Sequence, residues 1–160
     1  MLLVAALGGC LNPFAPDVDF ESDASVAGLE DRSEVDDVFT NMQYAYTFKD
    51  TLIYGDLLAE DFVFTYRDYE LGYDVSWGRT DEMRATHGLF ENAERLDLIW
   101  NNVVVRAEDS LRANVVRGYT LTITFNVADV SRVDGRANFT LARDDEGKWA
   151  IEKWIDESNF

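Results

Sequence analysis

Few side chains in this 160-residue chain could carry out nucleophilic or metal chemistry. The sequence contains a single cysteine, Cys10, and a single histidine, His87. One residue of each kind cannot form a usual zinc site, and one cysteine cannot form an internal disulfide. Cys10 also lies outside the predicted folded domain, so we expect no Cys/His pair and no Ser/His/Asp triad. The sequence therefore predicts no metal site and no cofactor.

Asp68 and His87 are the two weak candidates for acid–base catalysis. Asp68 follows Tyr66 by two residues on the same face of a strand-like run. It would act as a base only if the strand register or a bulge turned it inward, and a solvent position is the favoured interpretation. His87 is spaced four residues from Met83 and three from Phe90, so it should point toward the apolar side of a helix. There it is a residue at the edge of the core, a polar contact in a pocket, or a catalyst; we favour the first.

Aromatic residues with polar tips crowd one loop-rich segment, from Tyr66 through Tyr69 and Tyr73 to Trp77. Such rings pack in a core, bind a flat or apolar ligand, or seal a dimer interface, and the three interpretations stay open. Together with two residues from the predicted helices, they form the predicted ligand pocket, which consists of Tyr46, Tyr66, Tyr69, Tyr73, Trp77 and His87.

The charge of the chain excludes some classes of partner. The formal net charge is -17, from 31 acidic and 14 basic residues, without a local lysine or arginine cluster. This charge repels a phosphate backbone and an anionic lipid surface. We therefore expect no nucleic-acid binding, and any membrane attachment must be hydrophobic or covalent.

Three helices are predicted to position these side chains. The first begins with Ser33 as its cap, carries Asp36 in its first turn, and has an apolar stripe at helical spacing. That stripe consists of Val35, Val38, Phe39, Met42, Ala45 and Tyr46. Asp50 caps a second helix over 51–60, whose buried side is Leu52, Ile53, Leu57 and Leu58. Thr80 caps a third helix over 81–92 after a connecting segment, "LGYDVSWGR".

Strand chemistry fills the rest of the domain. A first strand follows the second helix around 62–66, and four strand-like runs follow the third helix, at 95–107, 111–128, 136–144 and 148–156. Apolar residues alternate with polar ones in the run 111–128, so one of its faces should be buried. Arg117 and Gly118 interrupt that alternation and predict a bulge or a bend. Helices followed by a long antiparallel sheet predict an α+β domain in which a curved sheet closes over the helices as a cone.

This order resembles the nuclear transport factor 2-like superfamily, a cystatin-like fold, including its SnoaL-like and ketosteroid-isomerase-like branches. The segments that carry the resemblance are "DLLAEDFVFTY", "WGRTDEM" and "GKWAIEKWIDES". The resemblance implies a pocket between the concave sheet face and the three helices, on a scaffold that serves enzymes, binding proteins and dimerisation modules alike. In ketosteroid isomerases the base is an aspartate on the strand after the second helix, where this chain has Tyr66. A tyrosine with a pKa near 10 is a poor base at neutral pH, so the resemblance favours a cone without catalysis.

The chain opens "MLLVAALGGC", a segment too short to cross a bilayer. Its apolar run ends in small residues, as in a secretory signal, and Leu7-Gly8-Gly9-Cys10 resembles the lipobox of bacterial lipoproteins. The positive charge that usually precedes such a run is missing. The resemblance implies lipid attachment at Cys10 and, with Leu11 after it, anchoring in the outer membrane. The alternative is a buried N-terminal strand with an incidental cysteine.

The sequence therefore predicts a lipoprotein signal peptide over 1–10, an acidic flexible tether over 11–32 that holds both prolines, and one cone-shaped domain over 33–160. We expect a lipid-anchored protein of the bacterial cell envelope that binds a small apolar ligand, or another envelope protein, without catalysis. One alternative is an isomerase- or dehydratase-like enzyme that uses Asp68 and His87. The other is a structural dimerisation module that forms a homodimer.

Overall fold

The computed structural model describes residues 29–158. The predicted signal peptide, lipid attachment at Cys10 and tether residues 11–28 lie outside the described residues, so these predictions stay untested. No helix of the described part of the chain has the length and apolar character needed to cross a bilayer.

Three helices and six strands form the domain. The helices are α1 (Val35–Phe48), α2 (Thr51–Asp56) and α3 (Arg79–Asn92). The strands are β1 (Leu58–Asp68), β2 (Tyr73–Gly78), β3 (Arg95–Glu108), β4 (Arg112–Asn126), β5 (Asp129–Arg143) and β6 (Trp149–Asp156).

All six strands lie in one sheet in the order β2-β1-β6-β5-β4-β3. Only β1 and β6 pair in parallel; the other neighbours pair antiparallel. The helices cover one face of the sheet, and α1 is tied to β3 by the Trp100 indole N–H, which donates to the Phe39 carbonyl at 2.9 Å. The predicted α+β fold, a curved sheet packed on N-terminal helices, is confirmed.

The apolar stripe predicted for α1 forms its buried face, from Val35 to Tyr46. The start of the helix differs by one residue from the prediction. Glu34 occupies the cap position, and its backbone N–H donates to the Asp37 carboxylate at 2.8 Å. Ser33 is therefore not the cap; its backbone N–H donates instead to the Asp31 carboxylate at 2.9 Å.

Helix α2 begins as predicted but ends early. The Asp50 carboxylate accepts the backbone N–H groups of Leu52 and Ile53 at 2.9 and 3.0 Å, which confirms the predicted cap. The helix ends at Asp56 because the chain pairs with β6 from Leu58 onward. Leu52 is exposed, and Tyr54 is the fully buried side chain of α2. The predicted end at residue 60 and the burial of Leu52 were therefore wrong, whereas Leu57 and Leu58 are buried as predicted, just after the helix.

The segment "LGYDVSWGR" is more than a connection, because its residues 73–78 form β2, which pairs with β1 as a hairpin. Trp77 in this strand faces Phe64 of β1 with ring centroids 4.6 Å apart. Helix α3 then begins at Arg79, with Gly78 rather than Thr80 at its cap position.

The register between β3 and β4 is irregular next to Arg117, a charged residue on the inner face of β4. Pairing between β4 and β5 runs without a shift at Arg117 and Gly118, whereas the register with β3 shifts twice between Trp100 and Val105. The Arg117 guanidinium lies 5.0 Å from the centre of the Phe39 ring, and its Nε donates to the Asn101 carbonyl at 3.0 Å. The inner face thus accommodates this cation through a ring and a carbonyl, and the irregularity that we predicted lies on β3.

The last residues of the predicted tether are attached to the domain. The Glu30 backbone N–H donates to the Asn41 side-chain oxygen at 2.9 Å, and the Asn41 amide donates back to the Glu30 carbonyl at 2.7 Å. The Arg32 guanidinium donates to the carbonyls of Asp56 and Trp149 at 2.7 and 3.1 Å. Residues 30–32 therefore join the middle of α1 to the end of α2 and the start of β6.

Candidate functional site

A cavity of about 190 Å³ lies between the concave face of the sheet and the helices. Six aromatic rings form much of its wall: Tyr46, Phe64, Trp77, Trp100, Tyr119 and Trp154. Aliphatic side chains complete the apolar lining: Met42, Ala85, Leu89, Leu98 and Leu121. Three polar residues interrupt it: Glu82, Thr86 and Asp156.

The cavity reaches solvent beside α3. Ala85 is exposed and yet lines the cavity, and Leu89 and Leu121 at the same rim are partly buried. A ligand could therefore enter between α3 and β4 without unfolding either element.

Glu82 is a buried carboxylate at the start of α3, only 5% exposed. Its Oε1 accepts the Tyr54 hydroxyl at 2.6 Å and the Thr86 hydroxyl at 3.1 Å, and its Oε2 accepts the Trp77 indole N–H at 2.6 Å. These donors come from α2, α3 and β2. Glu82 therefore joins three elements at the cavity wall through neutral hydrogen-bond donors.

Asp156 is a second buried carboxylate, at the end of β6 and 7% exposed. Its two oxygens accept the Tyr119 hydroxyl at 2.9 Å and the Ser158 hydroxyl at 2.6 Å. Burial raises the pKa of the Asp156 carboxyl above its usual range, and the hydrogen bonds from Ser158 and Tyr119 oppose that rise. Asp156 is thus a proton acceptor, or when protonated a donor, at the wall of an apolar cavity.

Buried tyrosines surround these carboxylates and stay protonated. Burial raises the pKa of Tyr46, Tyr54 and Tyr119 well above the usual range of a phenol. The nearby charges of Glu82 and Asp156 raise the pKa of Tyr46 further. The Tyr54 and Tyr119 hydroxyls therefore donate as neutral phenols to Glu82 and Asp156, and the site combines neutral phenols with two carboxylates.

The structure places the aromatic residues of the predicted pocket in different environments. Tyr46 and Trp77 line the cavity. Tyr66 packs against Trp77 with ring centroids 5.5 Å apart, outside the lining. Tyr69 and Tyr73 are 69% and 54% exposed, because they flank the turn of the β1–β2 hairpin.

Asp68 and His87, the residues on which the predicted enzyme alternative rested, do not lie in the cavity. The Asp68 carboxylate accepts the Leu71 backbone N–H at 2.8 Å in the turn between β1 and β2. His87 is exposed and lies 3.4 Å from the Glu91 carboxylate on the same helix. The expected position of His87 on the apolar side of α3 is wrong, and the described cavity does not bring Asp68 and His87 together.

The physical reason is that the buried stripe of α3 contains polar residues. Glu82, Thr86 and Phe90 recur every four residues and face inward, so His87 points outward one position later. Asp156 was missed for a related reason, because a carboxylate near the C-terminus is ordinarily a surface group. Its signal was the alternation along β6, where Trp154 and Asp156 share the buried face. The described cavity therefore contains a carboxylate, Asp156, that the sequence did not place there.

Within residues 29–158, no three histidine, cysteine, aspartate or glutamate side chains are arranged to hold a metal ion. The polar side chains that line the cavity supply hydrogen bonds, negative charge and a proton acceptor.

Comparisons with known proteins support the fold. No protein-family model and no curated protein matches the chain. Among solved structures, a protein from Kribbella flavida superposes with a TM-score of 0.68 at 13% identity, over 81% of this chain and 91% of that one. A proposed scytalone dehydratase from Novosphingobium aromaticivorans gives a TM-score of 0.67 at 13% identity, over 79% of this chain and 82% of that one.

A third structure, a proposed dehydratase of the nuclear transport factor 2-like family from Streptomyces avermitilis, gives a TM-score of 0.63 at 14% identity. It matches over 81% of this chain and 96% of that one. The chain therefore has the nuclear transport factor 2-like fold, as the resemblance in its sequence predicted. At these identities the likeness establishes the fold, and the function must be argued from the site.

Proposed function

We propose that this domain binds a small, largely apolar molecule in the cone, and that a lipid on Cys10 holds it in the bacterial cell envelope. The observation that carries the proposal is the cavity of about 190 Å³, which has an aromatic lining and reaches solvent beside Ala85. An apolar cavity of about 150 Å³ is sufficient to hold benzene, so a compound with one or two rings fits the size. Asp156 and the buried phenols supply the few polar groups that orient a ligand in such a site.

The location follows from the lipobox-like Leu7-Gly8-Gly9-Cys10 together with the net charge of -17. A lipid on Cys10 would hold the chain at a membrane that its charge otherwise disfavours. Anionic headgroups would repel the acidic residues between Cys10 and the domain, which would hold the cavity away from the lipid surface, where solutes can reach it.

Ligand titration tests the binding proposal. The full chain carrying Cys10→Ser, which cannot be lipidated, is titrated with indole and with benzyl alcohol and followed by calorimetry and NMR. Ala85→Trp at the rim should weaken binding at least tenfold, because the added ring fills the entrance. Ala107→Trp is the matched control: Ala107 is exposed on β3 and does not line the cavity. Absence of binding, or equal binding by both variants, would contradict the proposal.

A second candidate function is proton transfer of the isomerase or dehydratase type, with Asp156 in the role that the enzyme alternative gave to Asp68. The raised pKa of Asp156 favours it, since a carboxyl shifted toward neutral pH is a better general base or acid. The test is deuterium exchange in D₂O at carbon atoms next to the carbonyl of small aromatic ketones. Exchange above the buffer rate that is lost in Asp156→Asn would support catalysis. If a ketone binds but its deuterium exchange stays at the buffer rate, the result would contradict catalysis and support a binding function only.

A further inference from the structure

We infer that the ligand of this cavity is an organic cation: a primary or substituted ammonium group on a small apolar body. The inference rests on the proposed function, because it names the chemical class of the molecule that the same cavity takes. It follows from the charges and the rings of the cavity wall.

The wall carries negative charge without a matching positive charge. Glu82 and Asp156 both line the cavity, and no lysine, arginine or histidine does. Within residues 29–158, neither carboxylate belongs to an ion pair. Arg79, three residues before Glu82, donates instead to the Gly55 carbonyl at 3.0 Å. Buried charges in folded proteins are ordinarily paired, and here a bound cation would supply the missing partner.

Asp156 is the carboxylate that has room for a direct contact. An ionised carboxylate offers about four acceptor positions; Asp156 accepts the Tyr119 and Ser158 hydroxyls, one on each oxygen, and the Ser158 backbone N–H also stabilises its charge, so at least one position remains. Glu82 already accepts three donors, so its contribution to a ligand is mainly through its charge. An ammonium N–H group would therefore bind at Asp156 while Glu82 adds attraction from the α3 side.

The rings around the cavity favour the same class of ligand. Cations are attracted to the faces of tryptophan, tyrosine and phenylalanine, and a desolvated aromatic site strengthens that attraction. Trp77, Trp100 and Trp154 all line the cavity beside Tyr46, Tyr119 and Phe64. The phenols stay neutral, because burial raises the pKa of Tyr46 and Tyr119. An anionic ligand of the same size would meet two carboxylates and no cationic side chain.

The charge of the whole chain acts in the same direction. A net charge of -17 raises the local concentration of small cations and their rate of association, and added salt reduces both effects. This long-range attraction is not specific to the cavity, so a test must separate it from the contact with Asp156.

Two probes of equal size and different charge provide that test. Benzylammonium and benzyl alcohol are titrated at pH 7 into the full chain carrying Cys10→Ser. We expect benzylammonium to bind at least tenfold more tightly than benzyl alcohol. Asp156→Asn should reduce that preference at least fivefold. Asp68→Asn is the matched control, because it removes the same charge outside the cavity and should leave the preference intact.

The outcomes separate this inference from the binding proposal. Equal affinity for the two probes, or tighter binding of the alcohol, would overturn the inference and leave the apolar binding site standing. Binding of neither probe would overturn both. A preference that Asp68→Asn reduces as much as Asp156→Asn would show general attraction by the acidic chain and overturn the assignment to the cavity. If Asp156→Asn does not fold, the preference for benzylammonium is measured in the unsubstituted cavity and in Glu82→Gln. A preference that is present in the former and smaller in the latter would support the inference, and an equal preference in both would contradict it.

Discussion

The charge state of Asp156 is decided by its neighbours on every side. The Tyr119 and Ser158 hydroxyls donate to it, the charge of Glu157 disfavours its ionisation, and burial outweighs both hydrogen bonds in raising its pKa. Glu82 lies at the same cavity and adds negative charge. A carboxyl in such surroundings links the stability of the domain to pH.

The sign of that link is the reverse of the usual one for a carboxylate. The pKa of Asp156 in the fold lies above its ordinary value of 3.8, so the folded chain binds more protons than the unfolded chain between the two values. The contribution of Asp156 to the free energy of unfolding therefore falls as pH rises through that window, and is constant below 3.8. We expect Asp156→Asn to gain stability relative to the unsubstituted chain from pH 3 to pH 7, measured by urea denaturation.

Ser158→Ala provides the control for the sign. The Ser158 hydroxyl lowers the pKa of Asp156, so its removal should raise that pKa and move the window to higher pH. A stability difference between Asp156→Asn and the unsubstituted chain that does not depend on pH would contradict the raised pKa.

Glu82 gives a second prediction, because its three donors cannot all be kept by an amide. In Glu82→Gln, one oxygen can still accept Tyr54 and Thr86, but the amide nitrogen then faces the Trp77 N–H, also a donor. An unsatisfied buried donor costs about 1–3 kcal/mol, which should appear as a lower midpoint in urea. Glu91→Gln, at an exposed position of the same helix, should change stability by less than about 0.5 kcal/mol. Equal midpoints for the two variants would contradict the role of Glu82.

The sequence was a partial guide to these residues. It identified Tyr46 and Trp77 because large rings at helical or strand spacing are buried with or without function. It missed Glu82 and Asp156 because hydropathy assigns carboxylates to the surface, and only tertiary packing brings Tyr54, Trp77 and Tyr119 over them. One partner of each carboxylate is distant in the chain: Tyr119 lies 37 residues from Asp156, and Tyr54 lies 28 residues from Glu82, which is beyond local pattern.

At the level of elements, β5 and the segment after β6 approach each other closely at Gly135. This approach positions the Ser158 and Tyr119 hydroxyls that donate to Asp156. A Cβ at Gly135 would lie 2.8 Å from the Ser158 Cβ, 2.9 Å from its Cα and 3.1 Å from the Tyr119 ring. Only glycine leaves enough space there for Ser158 to reach Asp156. Any side chain at position 135 must therefore move the backbone at Ser158 as well as neighbouring side chains.

We expect Gly135→Ala to destabilise the domain by about 1–3 kcal/mol, as overpacking does, in urea denaturation. It should also shift the NMR signals of Ser158 and Asp156. Gly88→Ala is the control of opposite sign: nothing lies within 4 Å of its added Cβ, and alanine in a helix is favoured by about 0.5–1 kcal/mol. A neutral Gly135→Ala would show that the C-terminal segment is not held against β5.

Elements with strong periodicity could be predicted from sequence and short ones could not. The stripe of α1 and the long strands β3 to β6 extend over enough residues for the pattern to dominate. Strand β2 spans only 6 residues, of which Gly78 is the last, and it forms because β1 offers a free edge on that side. The length of α2 was overestimated because Leu58 pairs with β6 in parallel. This pairing joins segments that are distant in the chain, so local sequence pattern does not indicate it.

At the scale of the whole molecule, the fold was predictable because the order of helices and strands survives these errors. A cone requires helices on one face and a long, curved sheet, and the displacement of a cap by one residue alters neither. The residues that line the cavity of the cone were not predictable in the same way, because they depend on which side of α3 faces inward. The direction of α3 is set by Glu82 and Thr86, which hydropathy places in solvent.

Attachment to a membrane is the property of the whole chain that the domain itself does not determine. Leu7-Gly8-Gly9-Cys10 resembles a lipobox, and Leu11 follows the cysteine. We expect the native gene, expressed in its host with labelled palmitate, to yield labelled protein in the outer-membrane fraction. Cys10→Ser should abolish the label and release the protein from that fraction, because the acidic chain has no electrostatic affinity for anionic lipid.

Leu11→Asp separates the anchor from its destination. If the residue after the cysteine directs sorting, this variant should keep the label and move to the inner membrane, since the lipid is unchanged and only the sorting signal differs. If Leu11→Asp is labelled but stays in the outer-membrane fraction, the lipid anchor is supported and the role of Leu11 in sorting is contradicted. Unlabelled native protein would contradict the anchor itself and favour the buried N-terminal strand. The cavity would then have to be reached in whichever compartment the uncleaved chain occupies.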